Sequence, residues 1–518
     1  MSKWLENAVF YEIYPQSFKD SNSDGIGDIQ GIIQKLDYIC ELGCNAIWLN
    51  PCFASPFYDA GYDIEDYFNV APRYGTNEDL KELFEKAHEK NMHVILDLVP
   101  GHTSVKHAWF KESIKPTGNE YTNRYVWTDN IWKDFKDIKG VWGSIRGMSD
   151  RNGCCAVNFL SMQPALNYGF ANPKESWQFS TSSKEAVATR EAMKDVMSFW
   201  ISMGCDGFRV DMAGSLVKND IDSKETIKLW QNFREFLDKK FPEAVLISEW
   251  GEPEKSLAGG FHMDFLLHFG TSHYLDLFRV DNPYFSREGK GDIAQFVNKY
   301  MENYKLTSGK GLMCIPSGNH DMPRISHKLD DEEMKIAFAF LLTMPGAPFI
   351  YYGDEIGMKY LENIISVEGG YERTGSRTPM QWDNTVNAGF STAKKEKLYI
   401  MQDPSEDRPT VRNQMEVENS LYNEIKKLTH LRIENEPLCS NAGIEFLYAE
   451  ENAYPLIYKR TGKEGSMLIV LNPSKERVSC KVNENLNCEV VYSNNGEAVV
   501  DENSITAPAC SASIFKII

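Results

Sequence analysis

The chain has 518 residues, more than one ordinary core accommodates, so two or three domains are expected. An apolar share of 42% and a charged share of 25% are those of a globular protein and exclude a disordered one. A formal charge of -19 argues against a nucleic-acid backbone and against anionic substrates, whereas a neutral sugar is indifferent to it.

The start, Met-Ser-Lys-Trp-Leu-Glu-Asn, has neither a basic n-region nor an apolar h-region, so no secretory leader is expected. No run of about 18 apolar residues occurs that could span a membrane. The 11 cysteines show no metal-ligand spacing and read as reduced thiols of a cytoplasmic protein. Short apolar runs at 9–15, 46–50, 93–99, 207–211, 245–249, 264–269, 312–316 and 347–352 predict strands. Between the second and third, Thr76 can cap a helix with Asp79 three residues on, and Leu80, Leu83, Phe84 and Ala87 share one face. A further helix begins near Asp222, with Ile227, Trp230, Phe233 and Leu237 as its buried stripe. Eight strands separated by helices predict a parallel (β/α)8 TIM barrel of the α/β class.

The interval between the third and fourth strands is far longer than one crossover helix requires. Its excess, 101–168, is rich in Trp, Asn, Asp and Gly, and predicts an inserted, loop-rich domain B over the active face of the barrel. A last barrel helix is expected over 418–434. Beyond Pro437, β-type segments at 444–448, 456–459, 466–471, 478–482, 488–492 and 511–517 predict an antiparallel β domain. The expected division is a catalytic barrel of 1–100 and 169–436, the insertion of 101–168, and a C-terminal β-sandwich of 437–518.

Three acids stand just past predicted strands: Asp211 in Gly-Phe-Arg-Val-Asp, Glu249 in Ile-Ser-Glu-Trp, and Asp321 in Ser-Gly-Asn-His-Asp. Any one of them alone reads as a helix cap or a solvated loop residue. Three at the carboxyl ends of barrel strands, with Arg209 and His320 beside two of them, read as an assembled site. Such a set suits cleavage of a glycosidic bond, in which one carboxylate attacks and another protonates the leaving oxygen. Arg209 is expected to hold Asp211 ionised by lowering its pKa, while the partner acid must keep a proton at working pH. A loop of alternating oxygen residues, Asp20, Asn22, Asp24, Ile26 and Asp28, copies the start of an EF-hand. Gly31 stands where the bidentate Glu would be, so the loop predicts a structural Ca2+ site, with Mg2+ as the alternative ion and a metal-free turn as the alternative reading.

These stretches, together with Asp97-Leu-Val-Pro-Gly-His102, the early Val-Phe-Tyr-Glu-Ile-Tyr-Pro and the late Arg377-Thr-Pro-Met-Gln-Trp-Asp, resemble the α-amylase family of glycoside hydrolases. The nearest branch is that of the α-glucosidases and oligo-1,6-glucosidases. The resemblance implies a retaining mechanism with Asp211 as nucleophile, Glu249 as general acid/base and Asp321 on the sugar hydroxyls. It further implies Tyr62 as a stacking platform, His102 and His320 as ligands of the same ring, and Arg209 as the orienter of the nucleophile. An Asp59–Arg377 pair would close the pocket behind the non-reducing end. Gly101 stands where the family usually has an Asn that serves a calcium ion, which puts that ion in doubt. Met212 matches neither linkage class, which leaves the linkage open. The expected function is an exo-acting α-glucosidase on small neutral α-glucoside oligosaccharides, a monomer or weak homo-oligomer. The alternative is a glucosyl-transferring relative such as a trehalose synthase or a sucrose isomerase.

Overall fold

Eight parallel strands close on themselves in the structure, a computed structural model that describes residues 2–147, 149–270, 272–484 and 486–518. In chain order they are β1 (Phe10–Ile13), β2 (Ala46–Leu49), β3 (His93–Leu98), β4 (Gly207–Val210), β5 (Val245–Ser248), β6 (Met263–Phe265), β7 (Leu312–Cys314) and β8 (Phe349–Tyr351). Each of the first six pairs with the next, β8 pairs with β1, and an isolated parallel bridge between Pro316 and Phe349 joins the end of β7 to β8. The barrel read from the sequence is therefore present, with every expected strand in order. Seven of the eight are buried along their whole length, and the eighth, β3, in all but its first residue, which is why they read as plain apolar runs rather than alternating ones.

The helices follow their predicted signals. Helix α1 (Asn77–Glu89) has the Thr76–Asp79 capping box and buries Leu80, Leu83, Phe84 and Ala87. Helix α2 (Lys184–Met203) leads into β4, and α3 (Lys224–Lys240) buries Trp230, Phe233 and Leu237 against the barrel. The last barrel helix, α4 (Leu421–Glu434), starts at a Ser420 cap, three residues later than expected. Among the described residues no helix is long and apolar enough to cross a membrane.

Among the described residues, the stretch between β3 and α2 contains a short helix, Ala108–Ser113, a short hairpin, Gly143–Ile145 with Cys155–Val157, and a small core around Val126, Phe135, Cys154, Phe170 and Trp177. Past α4 lies a five-stranded antiparallel sheet and a three-stranded one. Two strands of the smaller sheet, Val499–Asp501 and Ser504–Ala507, were not legible in the sequence, because each is too short to show alternation.

Register is what positions the site. Asp97 lies opposite Arg209 on β3 and β4, and Val210 opposite Ser248 on β4 and β5. The ladder continues one residue further: Asp211 N–H donates to Leu98 O (2.8 Å) and Glu249 N–H to Val210 O (2.9 Å). Both acids thus emerge side by side at the carboxyl end of the barrel.

Candidate active site

The guanidinium of Arg209, 1% exposed, is the centre of the site. Nη1 donates to Asp97 Oδ1 (2.9 Å) and to Asp211 Oδ1 (3.2 Å), and Nη2 lies 2.8 Å from Glu249 Oε1. The second Glu249 oxygen accepts from the backbone N–H of Met212 at 3.1 Å. Met212 itself is left-handed, with φ 45° and ψ 41°, an unusual conformation for an unbranched residue that turns the chain sharply just after Asp211.

Three carboxyls share this one guanidinium, and among the described residues none of them makes an ion pair with a second cation. Burial first, and then the charge of Glu249, push the Asp211 carboxyl well above the usual carboxylate range; Arg209 acts in the other direction and does not win. The expectation that Arg209 would depress Asp211 is thereby corrected: Arg209 is shared with Asp97 and Glu249, so its field is divided. A carboxyl raised in this way gives up its proton only above the usual carboxylate range, so Asp211 is ionised only once the pH exceeds that range.

Asp321 has the opposite balance. Oδ1 accepts from Arg373 Nη1 (2.7 Å) and Arg377 Nη2 (3.0 Å), and Oδ2 lies 3.1 Å from His320 Nε2. Burial would raise this carboxyl, but His320 and the two guanidiniums outweigh it and take it well below its usual value. His320 in turn is lowered by burial, yet Asp321 and Glu12 lift it to about 9. Its Nδ1 donates to the fully buried Glu12 Oε1 at 2.9 Å. Tyr62 lies flat on the His320 ring (5.2 Å, 15°), its hydroxyl donating to Asp97 Oδ2 at 3.0 Å.

A cavity of about 630 Å³ opens in front of these groups. Asp59, Tyr62, His102, Asp211, Glu249 and Asp321 line its inner end together with the buried Trp250, and the exposed Trp142, Phe159 and Phe269 wall its outer part. Arg209, His320 and Arg377 do not line it. They hold the acids from behind.

The proposed Asp59–Arg377 pair is not made. Arg377 is buried with Nε donating to His320 O (2.8 Å) and Nη2 committed to Asp321. Arg373, one turn earlier and 24% exposed, reaches Asp59 instead at 3.4 Å, bridging it to Asp321. The other Asp59 oxygen accepts from Gln163 of the insertion at 2.7 Å. Neither Arg373 nor Gln163 carried a signal of its own; the only cue was that two arginines stand four residues apart in the same stretch.

His102 is pushed by burial down to about 3 and is neutral. Tyr62 O can only accept, so the ring carries its proton on Nε2, donating there at 3.1 Å, while Nδ1 accepts from Asn158 at 3.1 Å. Both nitrogens are thus occupied by the protein. A Cβ at Gly101 would stand 2.7 Å from Asn158 Nδ2, so glycine makes room for that amide. Asn158 Oδ1 accepts from the fully buried ammonium of Lys218 (3.1 Å), which burial lowers to about 7.

The Asp20–Asp28 loop lies apart from the cavity. Its alternate side-chain oxygens each accept the amide two residues on: Asp20 from Asn22, Asn22 from Asp24, and Asp24 from Ile26, all at 2.9 Å. Asp20 also accepts from Ser391 Oγ at 2.5 Å, pinning the loop to the segment after β8. The donor set is all oxygen, the kind that fits calcium or magnesium, but these oxygens are taken by the loop's own amides and its three aspartates do not bring ligand atoms within 4.8 Å of one another.

A family model, "Alpha amylase, catalytic domain", matches residues 12–441. The chain is 32% identical to "Alpha-amylase 3" of Dictyoglomus thermophilum, covering 99% of this chain and 94% of that protein. It is 31% identical to "Glucan 1,6-alpha-glucosidase" of Streptococcus pneumoniae, covering 98% of each. The solved structure of the trehalulose synthase MutB from Pseudomonas mesoacidophila superimposes with a TM-score of 0.83 at 25% identity, covering 100% of both chains.

The raised Asp211 carboxyl sets a pH limit. A carboxyl that acts in its ionised form is lost as pH falls through its folded value, so kcat/KM should fall on the acid side, beginning above the usual carboxylate range. A pH–rate profile flat from neutrality down into that range would contradict the raised Asp211 carboxyl.

Proposed function

The chain belongs to the α-amylase family of glycoside hydrolases, and on that footing we propose that it is a retaining, exo-acting α-glucosidase of short oligosaccharides. The observation that carries this is the closed inner end of the cavity, where Arg373 ties Asp59 to Asp321 and Gln163 holds Asp59 from the other side. A pocket shut at that end takes one terminal glucosyl unit and leaves the rest of the substrate at the aromatic mouth.

In this reading Asp211 attacks the anomeric carbon while Glu249 gives its proton to the leaving oxygen, forming a glycosyl-enzyme. Glu249 then takes a proton from water, which releases the sugar with its configuration retained. Two carboxyls drawn to one guanidinium suit this close-spaced, double-displacement class. Asp321, held ionised by His320, Arg373 and Arg377, accepts hydrogen bonds from sugar hydroxyls, and Tyr62 supplies the stacking face. The outer aromatics, Trp142, Phe159 and Phe269, favour a second reading, a glucosyl transferase, because an apolar mouth can retain the acceptor and keep water out. Relatives named trehalose synthase, at 31% identity in Pimelobacter, agree with keeping it.

The same proposal assigns the barrel, insertion and C-terminal β domain to residues 1–100 with 169–436, 101–168 and 437–518. It gives the Asp20–Asp28 loop a calcium ion held by Asp20, Asn22, Asp24, Asp28 and the Ile26 carbonyl. That ion would have no part in the reaction; the loop after β1 is tied to the segment after β8 by the Ser391–Asp20 hydrogen bond.

Asp211→Asn is nearly isosteric and should abolish turnover with folding intact; activity near wild type would remove the nucleophile assignment. Arg373→Ala should lower kcat/KM on a disaccharide by roughly tenfold or more, as expected for a lost charge-assisted contact, and on longer oligosaccharides by less. Equal losses across chain lengths would contradict the closed end. Chelation with EGTA should lower Tm, and added calcium should restore it; an unchanged Tm would leave the loop metal-free.

A further inference from the structure

Outside the catalytic pocket, one cluster of metal-ligating side chains stands out. His88 lies in the last turn of α1, His93 is the first residue of β3, and Asp206 immediately precedes β4. His88 Nε2 is 2.9 Å from Asp206 Oδ2, and His93 Nδ1 is 3.0 Å from Asp206 Oδ1. Among the described residues this is the single place where ligand atoms of three His, Cys, Asp or Glu residues fall within 4.8 Å of one another.

We propose that His88, His93 and Asp206 form a site for a divalent transition-metal ion of the zinc type, at the amino-terminal end of the barrel. Two imidazoles and one carboxylate are a nitrogen-rich set that suits zinc, nickel or copper and not calcium. The ligands approach from three separate elements, so the ion would fasten the end of α1 to the bases of β3 and β4. Two of the three are already fixed in place. Asp206 Oδ2 also accepts the Val94 amide (2.8 Å), while the Asp206 amide donates to Val94 O (2.9 Å). The His93 ring is stacked on Trp4, at 4.2 Å and 15°. Such outer contacts orient ligands before the metal arrives. His88, whose side chain is 41% exposed, is the free member, and its exposure gives the ion a way in and room for a water as fourth ligand. Binding uses the lone pairs of His88 Nε2 and His93 Nδ1, so each ring carries its proton on its other nitrogen, and the His–Asp hydrogen bonds give way to bonds to the ion.

This site is separate from the proposed reaction. Roughly 13 Å of strand lies between His93 and Asp97, which puts the two at opposite ends of β3. Its failure would therefore leave the glucosidase reading untouched.

The test is a zinc titration of the EDTA-treated full chain by calorimetry, with thermal unfolding in parallel, on the wild type, His88→Ala and His93→Gln. Calcium serves as the control ion for the Asp20–Asp28 loop. The expected result is saturable zinc binding that raises Tm, weakened by about tenfold or more in both variants, with glucoside turnover of the metal-free proteins unchanged. His88→Ala alters an exposed side chain and is expected to fold, so the comparison survives even if His93→Gln does not. Absence of saturable zinc binding by the wild type, or equal binding by wild type and His88→Ala, would overturn the site and leave a hydrogen-bonded His–Asp–His clamp.

Discussion

One guanidinium, that of Arg209, answers to Asp97, Asp211 and Glu249 together, and the chemistry of the site depends on that shortage of positive charge. Taking three carboxyls out of water against a single cation leaves a deficit that the protein meets by keeping a proton. Asp97, fully buried, is itself raised by burial in spite of Arg209. It also accepts from Trp48 and Tyr62, so the residue that anchors the arginine places the aromatic floor as well. The register of β3, β4 and β5 fixes these partners before any side chain chooses a rotamer.

A few ångströms away the ratio is reversed. Asp321 faces His320, Arg373 and Arg377, which among the described residues it shares only with Glu12 and Asp59, and stays ionised. His320 keeps its charge because Asp321 in front of it and Glu12, buried behind it within β1, both favour the protonated ring. The barrel therefore presents two adjoining environments on one rim, one short of cations and one rich in them. Environments that push neighbouring carboxyls apart in this way separate acid from base roles. A sugar bound between them would meet a proton donor at its glycosidic oxygen and a fixed anion at its hydroxyls.

The acids and the barrel were legible in the sequence for the same reason. A strand buried on both sides is a short apolar run, and a polar residue that ends such a run stands at the rim. The partner of Asp59 was not legible. Arg373 and Arg377 lie one turn apart in an irregular 3-10 segment, and only the fold decides that Arg377 turns inward to the His320 carbonyl while Arg373 reaches the pocket. Gln163 was hidden likewise, since a lone amide in a long insertion carries no spacing. The pKa of Asp211 was misjudged because proximity in sequence named one cation and the fold supplied two further claimants on it. Gly101, by contrast, was flagged as a departure and proved structural, opening the space that Asn158 fills beside His102.

The central claim is that Asp211 and Glu249 carry out a double displacement at the closed end of the cavity. The most direct measurement is a proton-NMR time course with isomaltose and with maltose, recorded faster than glucose mutarotates. The account predicts free glucose that appears first as the α anomer and drifts to the equilibrium mixture. Glucose released first as the β anomer would contradict double displacement. A new disaccharide formed with little free glucose would contradict hydrolysis and make the enzyme a glucosyl transferase.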